Sequence, residues 1–296
     1  MRMLLSPFIF IIHTCLQILN LALWGGLIIL FGLIKLVLPV KAIRTVLQAL
    51  MHFFMFCFGK CSVFFIQLFN PVSFDIRIDG TLSKEHWYLI IANHLSYLDI
   101  ILLIEFAATR IPAPKFFLKQ ELIWMPFVGL GAWALDMPFM RRYSRAYLQK
   151  HPERKGKDLE TTRAYCEKFK TTPTTVINFV EGTRFTPEKH RMKASPFRHL
   201  LPPKAGGVAF TLAVMGDLFT NVLDISLLYP DNADHPMLAM LSGQMKRIVV
   251  DVNVLSVPDR AGDEPAADDD MRQYFQSWLN THWTNKDARI AQLLEQ

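Results

Sequence analysis

The stretch Trp87-Tyr-Leu-Ile-Ile-Ala-Asn-His-Leu-Ser-Tyr-Leu-Asp99 decides the fold, because an apolar run passes through polar residues into a helical pattern. Residues 87–92 are all aromatic or aliphatic, which predicts a buried strand. The residues from Tyr97 to Ala108 predict a helix directly after it. A strand that leads straight into a helix is typical of the parallel sheets of α/β proteins.

The rest of the chain after Pro71 repeats this alternation of apolar runs and helical stretches. Four further strands are predicted, at Lys115–Leu118, Thr175–Val180, Leu223–Tyr229 and Arg247–Leu255. Further helices are predicted at Asp158–Lys170, Gly207–Met215 and Met271–Leu294. We therefore expect an α/β fold with a mixed, mostly parallel sheet flanked by helices.

The N-terminal region has the composition of a membrane segment. No charged residue occurs from Met3 to Ile34, and a helix of that length measures about 48 Å against a hydrocarbon core of about 30 Å. Such a helix either tilts or breaks at Gly25-Gly26. The second apolar stretch, Thr45–Phe74, contains Lys60 and many Phe residues, which favours an interfacial or hairpin-like segment. Two domains are expected: a membrane segment over 1–74, with one or two helices plus an interfacial helix, and an α/β domain over 75–296 that ends in an amphipathic helix.

Charge is distributed unevenly along the chain. Residues before Asp75 include five basic side chains and no acidic one, whereas the remainder is close to neutral. The positive residues Lys35, Lys41 and Arg44 predict that the chain after the apolar run lies on the cytoplasmic face of a membrane, the inner membrane if the cell is bacterial. The near-neutral remainder lacks the basic stripe of a nucleic-acid-binding protein, so no nucleic-acid partner is expected.

Several site types are not supported by the sequence. The cysteines at 15, 57, 61 and 166 have no companions at zinc-ligand spacing, so no metal is expected. Neither a Gly-x-Ser-x-Gly elbow nor a Walker loop occurs. Gly129-Leu-Gly-Ala-Trp-Ala134 matches a dinucleotide fingerprint only loosely, since no clear strand precedes it.

His94 and Asp99 form the first candidate catalytic pair. His94 lies where a strand ends and a helix begins, a common place for functional groups. Five residues on a continuous helix lie about 140° apart, so the two side chains meet only if the chain turns between them. Ser96 predicts such a turn, as the N-cap of a helix with Asp99 at its third position. A His held by a carboxylate can accept a proton from a hydroxyl; otherwise Asp99 only completes a capping box.

The second candidate group, Glu181-Gly182-Thr183-Arg184, follows another predicted strand. Arg184 is suited to binding phosphate, and the turn amides and the Thr183 hydroxyl add hydrogen-bond donors. The alternative is an ion pair that closes a tight turn. A third group, the cationic segment from Arg141 to Lys157, either faces anionic headgroups or is a solvated surface.

These motifs together resemble the glycerolipid acyltransferases typified by 1-acylglycerol-3-phosphate acyltransferase. His94-x4-Asp99 resembles the His-x4-Asp motif of that family, and Asn93 and Ser96 also fit it. Glu181-Gly-Thr-Arg184 matches a second motif, and Met137-Pro-Phe-Met-Arg-Arg142 stands where the family has an arginine-bearing block. The segments Pro203–Gly207 and Leu228-Tyr-Pro230 resemble the last two blocks. The resemblance runs in order from Trp87 to Pro230.

The resemblance implies transfer of an acyl group from acyl-CoA or acyl-acyl carrier protein to the hydroxyl of a lysophospholipid, without a further cofactor. His94 is implied as general base and Asp99 as its orienting acid. The substrate-binding residues implied are Asn93, Ser96, Arg141, Glu181, Gly182, Thr183 and Arg184, with Arg184 and Arg141 on the acceptor phosphate and Glu181 orienting Arg184 or the glycerol. Two alternatives stay open: a membrane-bound hydrolase with the same dyad, and a non-catalytic lipid-binding protein. Membrane lipids are the other expected partner.

Overall fold

The structure is a computed structural model that describes residues 2–38, 40–140, 169–259 and 269–296. Three of the sequence-based expectations fall outside these ranges. They are the cationic segment Arg141 to Lys157, nearly all of the expected helix Asp158–Lys170, and Cys166. The remaining strands and helices predicted from the sequence fall within the described residues.

A six-stranded sheet with the order β1-β8-β7-β2-β6-β3 forms the centre of the molecule. Its strands are β1 (Ser73–Asp79), β2 (Tyr88–Ala92), β3 (Pro114–Phe116), β6 (Thr175–Phe179), β7 (Asn221–Leu228) and β8 (Arg247–Leu255). Every neighbouring pair is parallel except β7 and β8. The expected mixed, mostly parallel sheet is confirmed. Two short strands, β4 (Leu118–Lys119) and β5 (Phe139–Met140), pair separately.

Strand β1 was not predicted, although its sequence alternates between apolar and polar residues. It lies at the sheet edge and is mostly half-exposed or exposed, so it lacks the continuous apolar run of a buried strand. It also crosses the expected division between residues 74 and 75; that division into domains stays a prediction.

Helices cover both faces of the sheet, because alternate side chains of each strand point to opposite sides. In β2, Ile90 and Ala92 pack into one hydrophobic cluster, whereas Leu89 and Ile91 pack into another. The helices after the N-terminal pair are α3 (Leu98–Arg110), α4 (Val128–Ala134), α5 (Pro187–Met192), α6 (Ala205–Met215), α7 (Pro236–Leu241) and α8 (Asp269–Leu294). Helices α6 and α8 line the second cluster, and α3, α4 and α7 the first.

The N-terminal pair consists of α1 (Arg2–Val37) and α2 (Lys41–Phe69), which pack against each other. Both are long and apolar enough, by length and composition, to cross a membrane. Helix α1 does not break at Gly25-Gly26. Instead Gly25 admits Phe127 and Gly32 admits Ala134, because a Cβ at either glycine would lie 3.0 Å or less from those side chains. Helix α2 is likewise continuous rather than a hairpin.

Helix α1 lies along the α/β domain over nearly its whole length. Near its start the Ser6 hydroxyl donates to the Ser242 carbonyl, at 3.1 Å. Near its end the Lys35 Nζ contacts Asp136 Oδ2 at 2.7 Å. These two contacts lie about 44 Å apart along the helix axis. The helix pair is therefore part of the main body of the protein, with one face on the domain and a row of exposed Leu, Ile and Phe residues on the other.

Candidate active site

The site lies at the carboxyl ends of three neighbouring parallel strands, β7, β2 and β6. Residues that follow these strands meet at one sheet edge, which is where α/β proteins commonly bind ligands. His94 follows β2, Glu181 follows β6 and Tyr229 follows β7. The sheet order thus brings together three segments that are far apart in the sequence.

His94 and Asp99 meet as the sequence predicts. The His94 Nδ1 lies 2.8 Å from Asp99 Oδ2, and the same oxygen accepts hydrogen bonds from the amides of Leu95 and Ser96. The Asp99 side chain is fully buried, whereas that of His94 is 14% exposed. The imidazole also stacks on the Phe179 ring, with ring centroids 4.1 Å apart. The ring is therefore held from two sides, which fixes its orientation.

This geometry determines which imidazole nitrogen carries the proton. An ionised carboxylate accepts hydrogen bonds and donates none, so Nδ1 of His94 must be the donor to Asp99. In the neutral ring the other nitrogen, Nε2, is then unprotonated and free to accept a proton. The pair has the arrangement of a general base with an orienting acid.

The helix start differs by one residue from the prediction. Helix α3 begins at Leu98, so Asp99 is its second residue rather than its third, and Tyr97 occupies the capping position. The Ser96 hydroxyl accepts from Leu98 N at 3.3 Å, while Asp99 reaches back to the Ser96 amide. Asp99 therefore binds two amides of the turn before the helix as well as His94, so a local structural role and a role in the dyad are compatible.

Asn93 has a structural task at the same edge. Its side-chain amide donates to the Leu227 carbonyl and its side-chain oxygen accepts from the Leu227 amide, both at 2.9 Å. These bonds fasten the loop before His94 to strand β7. Asn93 and Ser96 are both buried, and their direct contact with substrate stays a prediction.

The Glu181-Gly-Thr-Arg184 loop lies beside the His94 loop. The amide of Phe185 donates to the His94 carbonyl at 2.7 Å, which joins the two loops. Gly182 has φ of +69°, a conformation that glycine adopts without strain. Lys189 Nζ donates to the Thr183 hydroxyl at 2.9 Å and to the Arg184 carbonyl at 3.0 Å. The loop shape is thus fixed from within.

Arg184 and Glu181 do not contact each other, which corrects the expectation that Glu181 orients Arg184. The Arg184 guanidinium lies over the Tyr97 ring, 4.0 Å from its centroid. Such stacking holds the group while leaving its N–H donors available. Tyr97 is more than half exposed, so the pair stands at the surface of the site.

Glu181 points into the protein rather than into the site. Its side chain is fully buried, and Oε1 accepts from the Leu201 amide at 3.2 Å. The other oxygen, Oε2, has no hydrogen-bond partner among the described residues. Burial raises the pKa of Glu181 to about 8, so the carboxyl is mostly protonated at neutral pH. Glu181 therefore stabilises its loop from the interior of the protein. Its contact with the glycerol stays a prediction.

Other sequence candidates lie outside the described residues or in another part of the fold. Arg141 lies outside the described residues, so its role on the acceptor phosphate stays a prediction. The Gly129–Ala134 stretch lies in α4 and packs against α1, which is incompatible with a phosphate-binding loop after a strand. In the described part of the chain no cluster of three or more His, Cys, Asp or Glu is arranged to hold a metal ion.

Three aromatic residues around the site were not predicted to have a role. Tyr229 donates to Asp99 Oδ1 at 2.5 Å, Phe179 stacks on His94 and Tyr97 lies beneath Arg184. The available signal was positional: Phe179 and Tyr229 stand at the carboxyl ends of predicted strands. Which strands neighbour β2 is decided by the tertiary structure.

An open cavity of about 870 Å³ adjoins the loops that carry His94 and Arg184. Its polar wall includes Arg184, Lys189 and Arg198. Its apolar wall comes mainly from α7 and the end of α8, and includes Met237, Leu238, Leu241, Ile290 and Leu294. The cavity thus combines cations with an apolar surface, which suits an amphiphile with an anionic head.

Comparisons with known proteins find acyltransferases. Human 1-acyl-sn-glycerol-3-phosphate acyltransferase delta is 30% identical over 184 residues, which cover 59% of this chain and 44% of the human protein. Arabidopsis thaliana 1-acyl-sn-glycerol-3-phosphate acyltransferase 3 is 27% identical over 71% of this chain and 54% of its own. The chain therefore spans about half the length of these relatives.

A solved structure shows the same fold. The crystal structure of the 1-acyl-sn-glycerophosphate acyltransferase PlsC from Thermotoga maritima matches with a TM-score of 0.60 at 16% identity, over 98% of both chains. The family model named Acyltransferase matches residues 74–226, more than half of the chain, and this range contains both the His94–Asp99 pair and the Glu181–Arg184 loop. The chain belongs to this acyltransferase family.

Proposed function

We propose that the protein transfers a fatty acyl group from a thioester to the free hydroxyl of 1-acylglycerol-3-phosphate or a related lysophospholipid. The observation that carries the proposal is the 2.8 Å contact of His94 Nδ1 with Asp99, which leaves Nε2 as a base. Membership of the acyltransferase family and the names of the relatives support it. The acyl donor is acyl-CoA or acyl-acyl carrier protein.

The reaction follows from one base and two substrates. His94 Nε2 accepts the proton of the acceptor hydroxyl while the hydroxyl oxygen attacks the thioester carbonyl carbon, forming the new C–O bond. The tetrahedral intermediate then expels the thiolate by breaking the C–S bond. The imidazolium returns its proton to that sulfur, and Asp99 stabilises the imidazolium in between. Positioned acid–base catalysis of this kind contributes about 10²- to 10⁴-fold.

The cavity supports a lysophospholipid as acceptor. Arg184 is held over Tyr97 with its donors available, and Lys189 and Arg198 also line the cavity, together with one acidic residue, Asp234. A lysophospholipid whose phosphate is bound by these cations places its acyl chain against the apolar residues of α7 and α8. The Arg184 guanidinium provides the bidentate recognition that phosphate favours.

The exposed apolar surfaces support a membrane location. The outward face of α1 carries Phe8, Ile11, Leu19 and Leu23, all more than half exposed. Trp124, at the end of a short 3₁₀ helix (Gln120–Trp124) before α4, is 87% exposed. Lysophospholipids and their products partition into bilayers, so an enzyme docked there meets its substrate directly. We propose that the catalytic domain lies on the cytoplasmic face, where the basic residues Lys35, Lys41 and Arg44 can meet anionic headgroups.

Purified protein in mixed micelles tests the proposal. The donors are acyl-CoA and acyl-acyl carrier protein, the acceptor is lysophosphatidate, and both released thiol and diacyl product are measured. Wild type is compared with His94→Ala and with His86→Ala, an exposed histidine before the opposite end of β2. We expect product with wild type and His86→Ala and none with His94→Ala.

Other results contradict the proposal in distinguishable ways. Thiol released without diacyl product identifies a hydrolase that uses water as acceptor. No thiol with either donor and several lysophospholipids rejects catalysis and favours a lipid-binding protein.

A further inference from the structure

Tyr229 is a buried residue that touches the catalytic acid. It directly follows β7, is 1% exposed, and its hydroxyl donates to Asp99 Oδ1 at 2.5 Å. Strand β7 is the parallel neighbour of β2, so its end lies beside the loop that carries His94. Burial and the neighbouring Asp99 charge raise the pKa of Tyr229 well above 10, so the hydroxyl keeps its proton and remains a donor.

The two oxygens of Asp99 have different partners. Oδ2 accepts from His94 Nδ1 and from the amides of Leu95 and Ser96. Oδ1 accepts from Tyr229, and among the described residues no other donor to it is found. Rotation of the carboxylate would break both sets of bonds together. Tyr229 therefore fixes Asp99 Oδ1, the carboxylate oxygen that accepts no hydrogen bond from the His94 loop.

We propose that Tyr229 is a positioning residue: its hydroxyl locks the Asp99 carboxylate and, through it, sets the orientation and basicity of His94. The inference rests on the proposed function in one respect, that His94 is the base of acyl transfer. Tyr229 also lines the cavity, but it is 1% exposed and its hydroxyl is engaged by Asp99. A phenylalanine would fill nearly the same space, so the hydroxyl is the part of Tyr229 that packing does not explain.

Removal of the hydroxyl has a predictable electrostatic effect. A hydrogen bond disperses part of the negative charge of a carboxylate. Without it the charge on Asp99 is available to the imidazolium alone, which favours protonated His94 and raises the pKa of the imidazole. The other ionisable groups nearby, Glu181 and Arg184 after β6, and Lys286 on α8, which interacts with Glu181, are left unchanged by the substitution.

The experiment compares Tyr229→Phe with Tyr88→Phe in the full-length protein. Tyr88 is also fully buried, in β2, and its hydroxyl accepts from the Ser83 amide far from Asp99. The first readout is the pH dependence of carbethoxylation of His94, followed by peptide mass spectrometry, which does not require activity. The second is the pH profile of kcat for acyl transfer to lysophosphatidate. Thermal unfolding confirms that each variant is folded.

For Tyr229→Phe we expect the His94 titration and the acid limb of kcat to move to higher pH by about half a unit or more. We expect kcat to fall about tenfold, as for loss of a hydrogen bond to a charged group, with both KM values within about twofold of wild type. Tyr88→Phe should change neither. A wild-type titration and kcat in folded Tyr229→Phe would overturn the inference and leave Tyr229 as a packing residue.

Failure of the proposed function is distinguishable. If no acceptor yields product but the His94 titration still shifts in Tyr229→Phe, the positioning role stands and the assigned reaction is wrong. If Tyr229→Phe does not fold, 3-fluorotyrosine at position 229 keeps the hydroxyl and makes it a stronger donor. The titration should then move to lower pH, and an unchanged or higher value would reject the inference.

Discussion

The main-chain amide of Phe185 donates a 2.7 Å hydrogen bond to the main-chain carbonyl of His94. This single bond joins the loop after β2 to the loop after β6. It fixes the backbone next to Arg184 relative to the backbone of His94. The proposed base and the proposed phosphate-binding group therefore share one backbone connection, and their spacing does not depend on flexible side chains alone.

Arg184→Lys tests whether the shape of the guanidinium matters as well as its charge. Lysine keeps the charge but loses the stacking on Tyr97 and the paired donors. We expect the KM for lysophosphatidate to rise about tenfold, the cost of one hydrogen bond to a charged group, with a smaller change in kcat. Steady-state kinetics at varied acceptor concentration measures this. Arg191→Lys, an exposed residue on α5, is the control, and equal KM values for the two variants would contradict the assignment.

Asp99→Asn tests the dyad directly. The carboxylate of Asp99 now accepts hydrogen bonds from His94 Nδ1 and from the amides of Leu95 and Ser96. In asparagine one of the two oxygens is replaced by an N–H₂ group, which donates and does not accept, so the side chain no longer fixes the proton on His94 Nδ1. We expect kcat to fall about 10²- to 10⁴-fold across the whole pH range. Single-turnover thiol release quantifies the loss. Near-normal kcat in a folded variant would show that His94 does not need its carboxylate partner.

Glu181→Gln tests the stability effect of the buried carboxyl. The folded-state pKa of about 8 lies above the ordinary value of 4.5, so between these values unfolding releases a proton that the folded protein retains. The contribution of Glu181 to stability is therefore complete below pH 4.5 and is lost as pH rises through 8. We expect the Tm of wild type to fall from pH 5 to pH 8 by more than that of Glu181→Gln.

Glu188→Gln provides the comparison for that experiment, because Glu188 is exposed on α5. Its Tm should follow wild type at both pH values. If Glu181→Gln and Glu188→Gln show the same pH dependence, the carboxyl of Glu181 titrates normally and the burial argument fails.

Gly32→Ala tests the packing of α1 on the α/β domain. A Cβ at Gly32 would lie 2.4 Å from the Ala134 Cβ, so one of the two helices must move. Overpacking of this kind costs about 1–3 kcal/mol, and we expect a Tm lower by several degrees in detergent. The matched control is Gly26→Ala on the same helix, since no atom lies within 4 Å of a Cβ there. A similar loss in both variants would attribute the effect to the helix itself.

The sequence predicted most of the sheet because its central strands are buried on both faces. Strands of this kind are continuous apolar runs, and the prediction of Arg247–Leu255 coincides with β8. The edge strand β1 is half-exposed and lacks that signal. The sequence also left open whether α1 breaks at Gly25-Gly26. In the structure α1 continues through these glycines, and Gly25 lies against Phe127, a residue remote in the sequence.

By itself the sequence determined the pairing of His94 with Asp99, because both lie in one turn and the Asp99 carboxylate satisfies local backbone amides. It also determined that the Glu181–Arg184 loop follows a buried strand. Only the tertiary structure decided that Tyr229 holds Asp99, that Arg184 rests on Tyr97 and that Glu181 points inward. These contacts join segments remote in the chain, and they form because the order β7-β2-β6 brings three strand ends to one edge.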